Sequence, residues 1–191
     1  ICVFFFFFLI FSSQFLYNFT SLGIRMENVS SAFRSQYIGA LSMLKNSIIA
    51  CPDELWNDSS YGNRFWHLAY HSLFFTALYL SPSMQESNLW KKCRKTYHAL
   101  SKWESEPDYD PEQNVPYTKE ELLEFHDFII ARLDVAFDEL PLDAPSGFPW
   151  ISFNKFHLHI YNLRHLQHHT GQLTERIRQV TGVGVAWVGK G

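Results

Sequence analysis

Apolar side chains recur at three- and four-residue steps through most of this chain, the period of helices that bury one face. Between Ser30 and Ala50 the apolar positions are Phe33, Tyr37, Ile38, Leu41, Leu44 and Ile48, and Cys51-Pro52-Asp53 ends the pattern. A second segment, from about Arg64 to Leu80, is apolar nearly all round and predicts a helix buried on most sides. Ser81-Pro82-Ser83 closes it, and a weaker, more polar helical stretch is expected over Leu89 to Trp103. Residues 104–117 carry three prolines and several acids and read as a long surface loop. Thr118-Lys119-Glu120-Glu121 then forms a capping box and opens a helix to about Leu140, with Leu122, Phe125, Ile129, Leu133, Ala136 and Leu140 facing inward. After a connector from Pro141 to Pro149, the last long helix should run from about Ser152 to Thr181 and stop at Gly182. No alternating strand pattern intervenes. Four principal helices with one weak extra one predict an all-α protein, a four-helix bundle.

The first 25 of the 191 residues read differently. They hold eight of the eighteen phenylalanines and a single charge, Arg25. The apolar run Ile1 to Phe11 has no basic residues before it and no small-residue cleavage pattern after it, and it is too short to span a bilayer. Met26, followed by Glu-Asn-Val-Ser-Ser, reads as an ordinary N-terminus, so residues 1–25 are read as upstream translation in preference to a genuine signal or anchor. The expected organisation is a leader over 1–25, a helical bundle over 26–182 and a tail over 183–191. From Met26 onward there are 15 basic and 19 acidic residues, with no basic patch to suggest nucleic acid as a partner. Cys51 and Cys93 form no CxxC or disulfide framework, which points to buried thiols in a reducing compartment, the cytoplasm.

Nine histidines are the chemistry this chain offers. Alone on a helix, a histidine is more often a solvated or hydrogen-bonded residue than a metal ligand, and His98, His126, His157 and His159 are read so. On the last helix, a turn of about 100° per residue sorts the others. With Phe153 at zero, Phe156, Ile160, Leu163, Leu166, Leu173, Ile177 and Val180 span roughly 180° to 340°. His169 falls near 160° and His165 near 120°, on the shoulder of that arc, whereas His168 falls near 60° and faces solvent. Two imidazoles four residues apart on one helical face can grip one ion together. Gln172, near 100°, can brace a ligand imidazole or a water. The ion then needs a third ligand from another helix. His67 and His71 on the second helix are also four apart, and periodicity leaves the choice between them open. Tyr161, one turn before His165, is read as a packing tyrosine within reach of the site.

Phe65-Trp66 and Ala69-Tyr70-His71-Ser72-Leu73-Phe74, together with Asn162-Leu163-Arg164-His165-Leu166-Gln167, His169 and Gly171-Gln172-Leu173, resemble the DinB-like (DNA-damage-inducible, YfiT-like) superfamily over about Asn28 to Thr181. The resemblance implies a four-helix bundle that binds a divalent metal, nickel or zinc, through one histidine of the second helix and a His-x-x-x-His pair of the last. Carried over, the ligands are His71, His165 and His169, with His67 a departure from the family's pattern and a rival to His71. The catalytic members of that superfamily are thiol-dependent, bacillithiol or mycothiol S-transferases and maleylpyruvate isomerase, and its proteins often form homodimers. Small-molecule thiols and electrophiles are therefore the expected partners, and a membrane is not, unless the leader is genuine. Three imidazoles leave an ion with open positions, as in catalytic sites, where a water or a thiol can be made acidic near neutral pH. With no Gly-x-Ser-x-Gly, phosphate loop or recognisable carboxylate couple, no catalytic residue beyond the ligands is expected.

Overall fold

The computed structural model describes residues 29–102, 109–138 and 141–191. The leader, Trp103 and Leu140 lie outside the described residues, as does the part of the expected loop at 103–108. The described residues form five α-helices: α1 (residues 29–50), α2 (Asp53–Trp56), α3 (Phe65–Tyr79), α4 (Lys119–Asp138) and α5 (Lys155–Thr181). Among the described residues there is no strand, only an isolated bridge between Pro145 and Asn154. No described helix is long and apolar enough to cross a membrane. The class is all-α.

Local chemistry sets the helix ends. At α4 the capping box forms in both directions, the Glu121 N–H donating to the Thr118 hydroxyl at 3.2 Å and the Thr118 N–H to the Glu121 carboxylate at 2.9 Å. Helix α5 begins at Lys155, three residues later than the pattern implies, because the Asn154 side chain accepts from the His157 N–H and caps it there. It ends at Gly182, whose φ of 73° lets its N–H reach the Arg178 carbonyl at 2.8 Å.

The four long helices bury their apolar faces in one core. Phe33, Tyr37, Leu41, Leu44 and Ile48 of α1 are buried as expected, and Phe33 meets Phe137 of α4 and Phe156 of α5 at ring separations of 6.0 and 5.6 Å. Every residue of α3 is buried except His71 and Phe75, which sit one turn apart on the side facing α5. That pair is where the otherwise enclosed helix reaches open space.

Three expectations are corrected. Residues 89–102 form turns, not a helix. Aromatic side chains pin this segment instead: Trp90 stacks on Phe125 at 4.8 Å, and the Tyr117 hydroxyl accepts from the Arg94 N–H and donates to the Lys92 carbonyl. Tyr117, expected on a surface loop, is fully buried and stacks on Tyr70 at 4.7 Å. The inward face of α5 also differs from its apolar arc. Ile160 and Val180 are about half exposed, while Lys155, His159, Asn162 and Thr170 are buried. The buried positions run from roughly 140° to 260° on the same projection, which brings His169 inside the buried face. Each of these side chains has a partner inside: Lys155 donates to the Ser81 carbonyl at 3.0 Å, Asn162 to the Thr76 carbonyl at 3.3 Å, and the Tyr37 hydroxyl lies 3.3 Å from His159 Nδ1, while Asn162 Oδ1 and His159 Nε2 have no hydrogen-bond partner among the described residues.

The connector before α5 turns at Gly147, where φ is 85° and a Cβ would stand 2.5 Å from the Pro82 carbonyl oxygen. Only glycine fits that approach. It delivers Phe148 against Tyr79 and leaves Trp150 beside the end of α3, its indole N–H donating to the Tyr79 hydroxyl at 3.2 Å.

Candidate metal centre

Helices α3 and α5 pack side by side, and His71, His165 and His169 project into the seam between them. Their nearest ring nitrogens all lie within 4.8 Å of one another. His165 Nε2 stands 3.0 Å from His71 Nε2 and 3.1 Å from His169 Nε2. A tetrahedral ion with bonds of about 2.0–2.1 Å separates two of its nitrogen ligands by about 3.4 Å, so small rotations of the rings suffice to seat one.

Which nitrogen holds each proton follows from the partners. His71 donates from Nδ1 to the main-chain carbonyl of His98 at 2.6 Å, and a carbonyl can only accept. His169 donates from Nδ1 to the Gln172 side-chain oxygen at 2.8 Å. Both rings therefore aim an Nε2 lone pair at His165 Nε2, which can offer at most one proton in return. Whatever the tautomer of His165, whose buried Nδ1 has no hydrogen-bond partner among the described residues, one of the two contacts sets lone pair against lone pair. A cation at the shared point turns that repulsion into coordination. The three histidines can hold a metal ion.

A proton is a poor substitute for that ion at neutral pH. Burial pushes the His71 pKa down to about 3, against the opposing pull of the His98 carbonyl, with His165 and His169 lowering it further. Burial and then the neighbouring His169 take His165 down to about 4, and burial lowers His169 despite its bond to Gln172. Neutral imidazole is the form that binds metal.

The remaining histidines separate clearly. His67, the rival to His71, is buried, stacks on Trp66 at 4.9 Å and donates from Nε2 to the Tyr97 carbonyl at 2.8 Å, away from the cluster. His168 is exposed, as its projection implied, and so is His157. His126 donates to Asp127, His159 is enclosed among Phe33, Tyr37 and Phe137, and His98 stacks on Phe74 at 4.4 Å. Sequence reasoning assigned His98 no role at the site; its side chain packs on Phe74, and its carbonyl braces His71. No side-chain pattern announces a main-chain acceptor. Gln172, by contrast, was visible in the projection.

Two outcomes follow from this bracing and burial. Gln172→Leu keeps the ligands and removes the acceptor that orients His169, so zinc affinity measured by calorimetry should fall about 10–100-fold; an unchanged constant would remove Gln172 from the site. The buried neutral histidines His71, His159 and His165 have folded pKa values of about 3, 4 and 4, below the unfolded value of 6.5. Between those limits the unfolded chain binds protons the folded one refuses, so stability is complete above about pH 6.5 and is lost as the pH falls towards 4. Denaturant unfolding with chelator present, from pH 7 to pH 4, should show a stepwise fall in unfolding free energy; a flat series contradicts the burial argument.

In comparisons with known proteins, no family model matches the chain, and neither a curated protein nor a solved structure matches it.

Proposed function

We propose that this protein is a DinB-like four-helix bundle that binds one divalent ion, nickel or zinc, on His71, His165 and His169, and that it is a metal-dependent enzyme of the thiol S-transferase or hydrolase type. The observation that carries the reading is the convergence of three Nε2 atoms, with the opposite ring nitrogens of His71 and His169 held by the His98 carbonyl and Gln172. When bound, such an ion supplies Lewis acidity that ionises a thiol or a water near neutral pH. The chain's own residues do the rest. His98 and Gln172 fix the tautomers of two ligands, and the surrounding aromatic rings limit access of water to the seam. Three protein ligands leave a position for a substrate. The reading extends to a cytoplasmic homodimer.

One observation favours a second reading, a metal-binding or stress-response protein without turnover: no carboxylate or amine lines the cleft beside the histidines, which leaves the Tyr79 and Tyr161 hydroxyls as its proton-transfer groups besides the imidazoles. Metal analysis of protein purified without a histidine tag tests the site itself, with about one ion per chain expected. Conjugation assays with bacillithiol, mycothiol or glutathione and a reactive electrophile, and hydrolysis assays alongside, then separate the two readings. Turnover that requires the ion establishes the enzyme, and metal-loaded protein inert in all of them establishes the second reading.

A further inference from the structure

The seam that holds the histidines opens on a cleft beside His71 and His165. A cleft of about 280 Å³ is lined by His71, Phe75, Tyr79, Trp150, Tyr161 and His165, without His169. Its walls follow from helical spacing. His71, Phe75 and Tyr79 are successive turns of α3, and Tyr161 and His165 are successive turns of α5. Trp150, from the connector, closes the far end, its ring more than half exposed.

The wall beyond the two histidines is wholly aromatic. Phe75 lies 4.8 Å from the His71 ring and 5.6 Å from His165. Tyr161 is parallel to His165 within 3° at 6.4 Å, and Tyr79 stands 5.6 Å from Phe75 and 6.0 Å from Tyr161. No charged side chain lines the cleft. Arg164 places its guanidinium over the Tyr161 ring at 5.5 Å but is not part of the lining. The Tyr79 hydroxyl already accepts from Trp150. A cavity of about 150 Å³ accepts benzene, so this volume holds one aromatic ring with a donor group pointing at the histidines. The polar body of a low-molecular-weight thiol, with its several carboxylates, amines or sugar hydroxyls, finds no charged partner here and only the Tyr79 and Tyr161 hydroxyls to pair with.

We propose that the cleft seats a small, uncharged, aryl-bearing molecule, its ring held among Phe75, Tyr79, Trp150 and Tyr161 and its donor group at the histidine seam. Resting on the reading of the three histidines as a metal centre, this assigns the aryl partner, rather than the thiol's polar body, to the aromatic wall. It explains why the two half-open positions of α3 are one ligand and one phenylalanine, with the rest of that helix enclosed.

Benzohydroxamate and acetohydroxamate present the same metal-binding head on a phenyl or a methyl group. In zinc-loaded protein, and relative to their affinities for free zinc, the phenyl compound should bind about tenfold more tightly, as ring stacking and added burial require. Trp150→Ala and Tyr161→Leu should abolish most of that preference while zinc stoichiometry stays near one. Equal binding of the two hydroxamates to zinc-loaded wild type, or a preference untouched in both variants, overturns the proposal and leaves the metal centre standing. Phenol and cyclohexanol read the cleft without any ion. In chelator-treated protein the Trp150 indole N–H resonance, assigned by its loss in Trp150→Ala, should shift with phenol and not with cyclohexanol. If zinc fails to bind but this shift is seen, the metal reading falls and the aryl cleft survives; if phenol produces no shift, the cleft falls.

Discussion

Replacing His169 with alanine should lower zinc affinity by about 100-fold or more, since bracing groups around a metal ligand alone account for about 10–100-fold and this change removes the ligand itself. His169 is one of two ligands on α5 and the most enclosed of the three, 8% exposed. Its loss leaves two nitrogens, on different helices, to hold the ion. The same change should erase metal-dependent stabilisation. Zinc at about 100 times its dissociation constant adds roughly 2.7 kcal/mol to the wild-type protein, and in a chain of this size that raises the melting temperature by roughly 5–11 °C. His67→Ala is the informative companion. Its imidazole is just as buried but serves the Tyr97 carbonyl, so it should cost about 1–3 kcal/mol of stability through the unsatisfied acceptor while leaving zinc affinity near wild type. Calorimetric titration of the two variants settles the assignment. Wild-type affinity in His169→Ala, or lost affinity in a folded His67→Ala, would move the centre elsewhere.

The largest effect on stability is expected from Trp66→Ala, at about 3–5 kcal/mol in denaturant unfolding. Trp66 is fully buried, donates its indole N–H to Asn57 at 2.9 Å, stacks on His67 and packs against Tyr97 and Tyr117 at 6.2 Å each. Those neighbours hold the irregular segment at 89–102, and that segment carries the His98 carbonyl to His71. The substitution should therefore also weaken zinc binding, although Trp66 touches no ligand. Leu173→Ala, a buried position on α5 outside that aromatic group, serves as the control: it should lose about 2–5 kcal/mol with a smaller change in zinc affinity. A cost below about 1 kcal/mol at Trp66 would mean that the aromatic group does not anchor the segment.

How far the sequence disclosed this arrangement depended on where the information resides. Helices α1, α4 and α5 were legible because each carries its own apolar period and α3 because it is apolar nearly all round between turn-rich flanks, and the capping box at Thr118 and the glycine stop at 182 act within a few residues. His165 and His169 were legible for the same reason: their relation is internal to one helix. His71 against His67 was not, because the two share a face of a helix buried all round, and what divides them is whether the neighbour at that height is α5 or the segment at 89–102. That segment itself read as a weak helix, since its aromatic residues fall at spacings that suit either packing on a helix or pinning a chain of turns. The buried face of α5 was misjudged towards Ile160 because hydropathy counts Lys155, His159 and Asn162 as outward, whereas each finds a hydrogen-bond partner inside.

The support beneath His71 is a peptide oxygen, and every residue type supplies one. Exchanging the side chain at position 98 leaves that acceptor in place, so a survey that substitutes positions one at a time would pass over it. A change there disturbs the stack on Phe74 but not the identity of the acceptor, as long as the path of the backbone is kept. What holds the first ligand in register is thus a property of shape, inherited through Trp66, Trp90 and Tyr117 rather than through the residue that makes the contact.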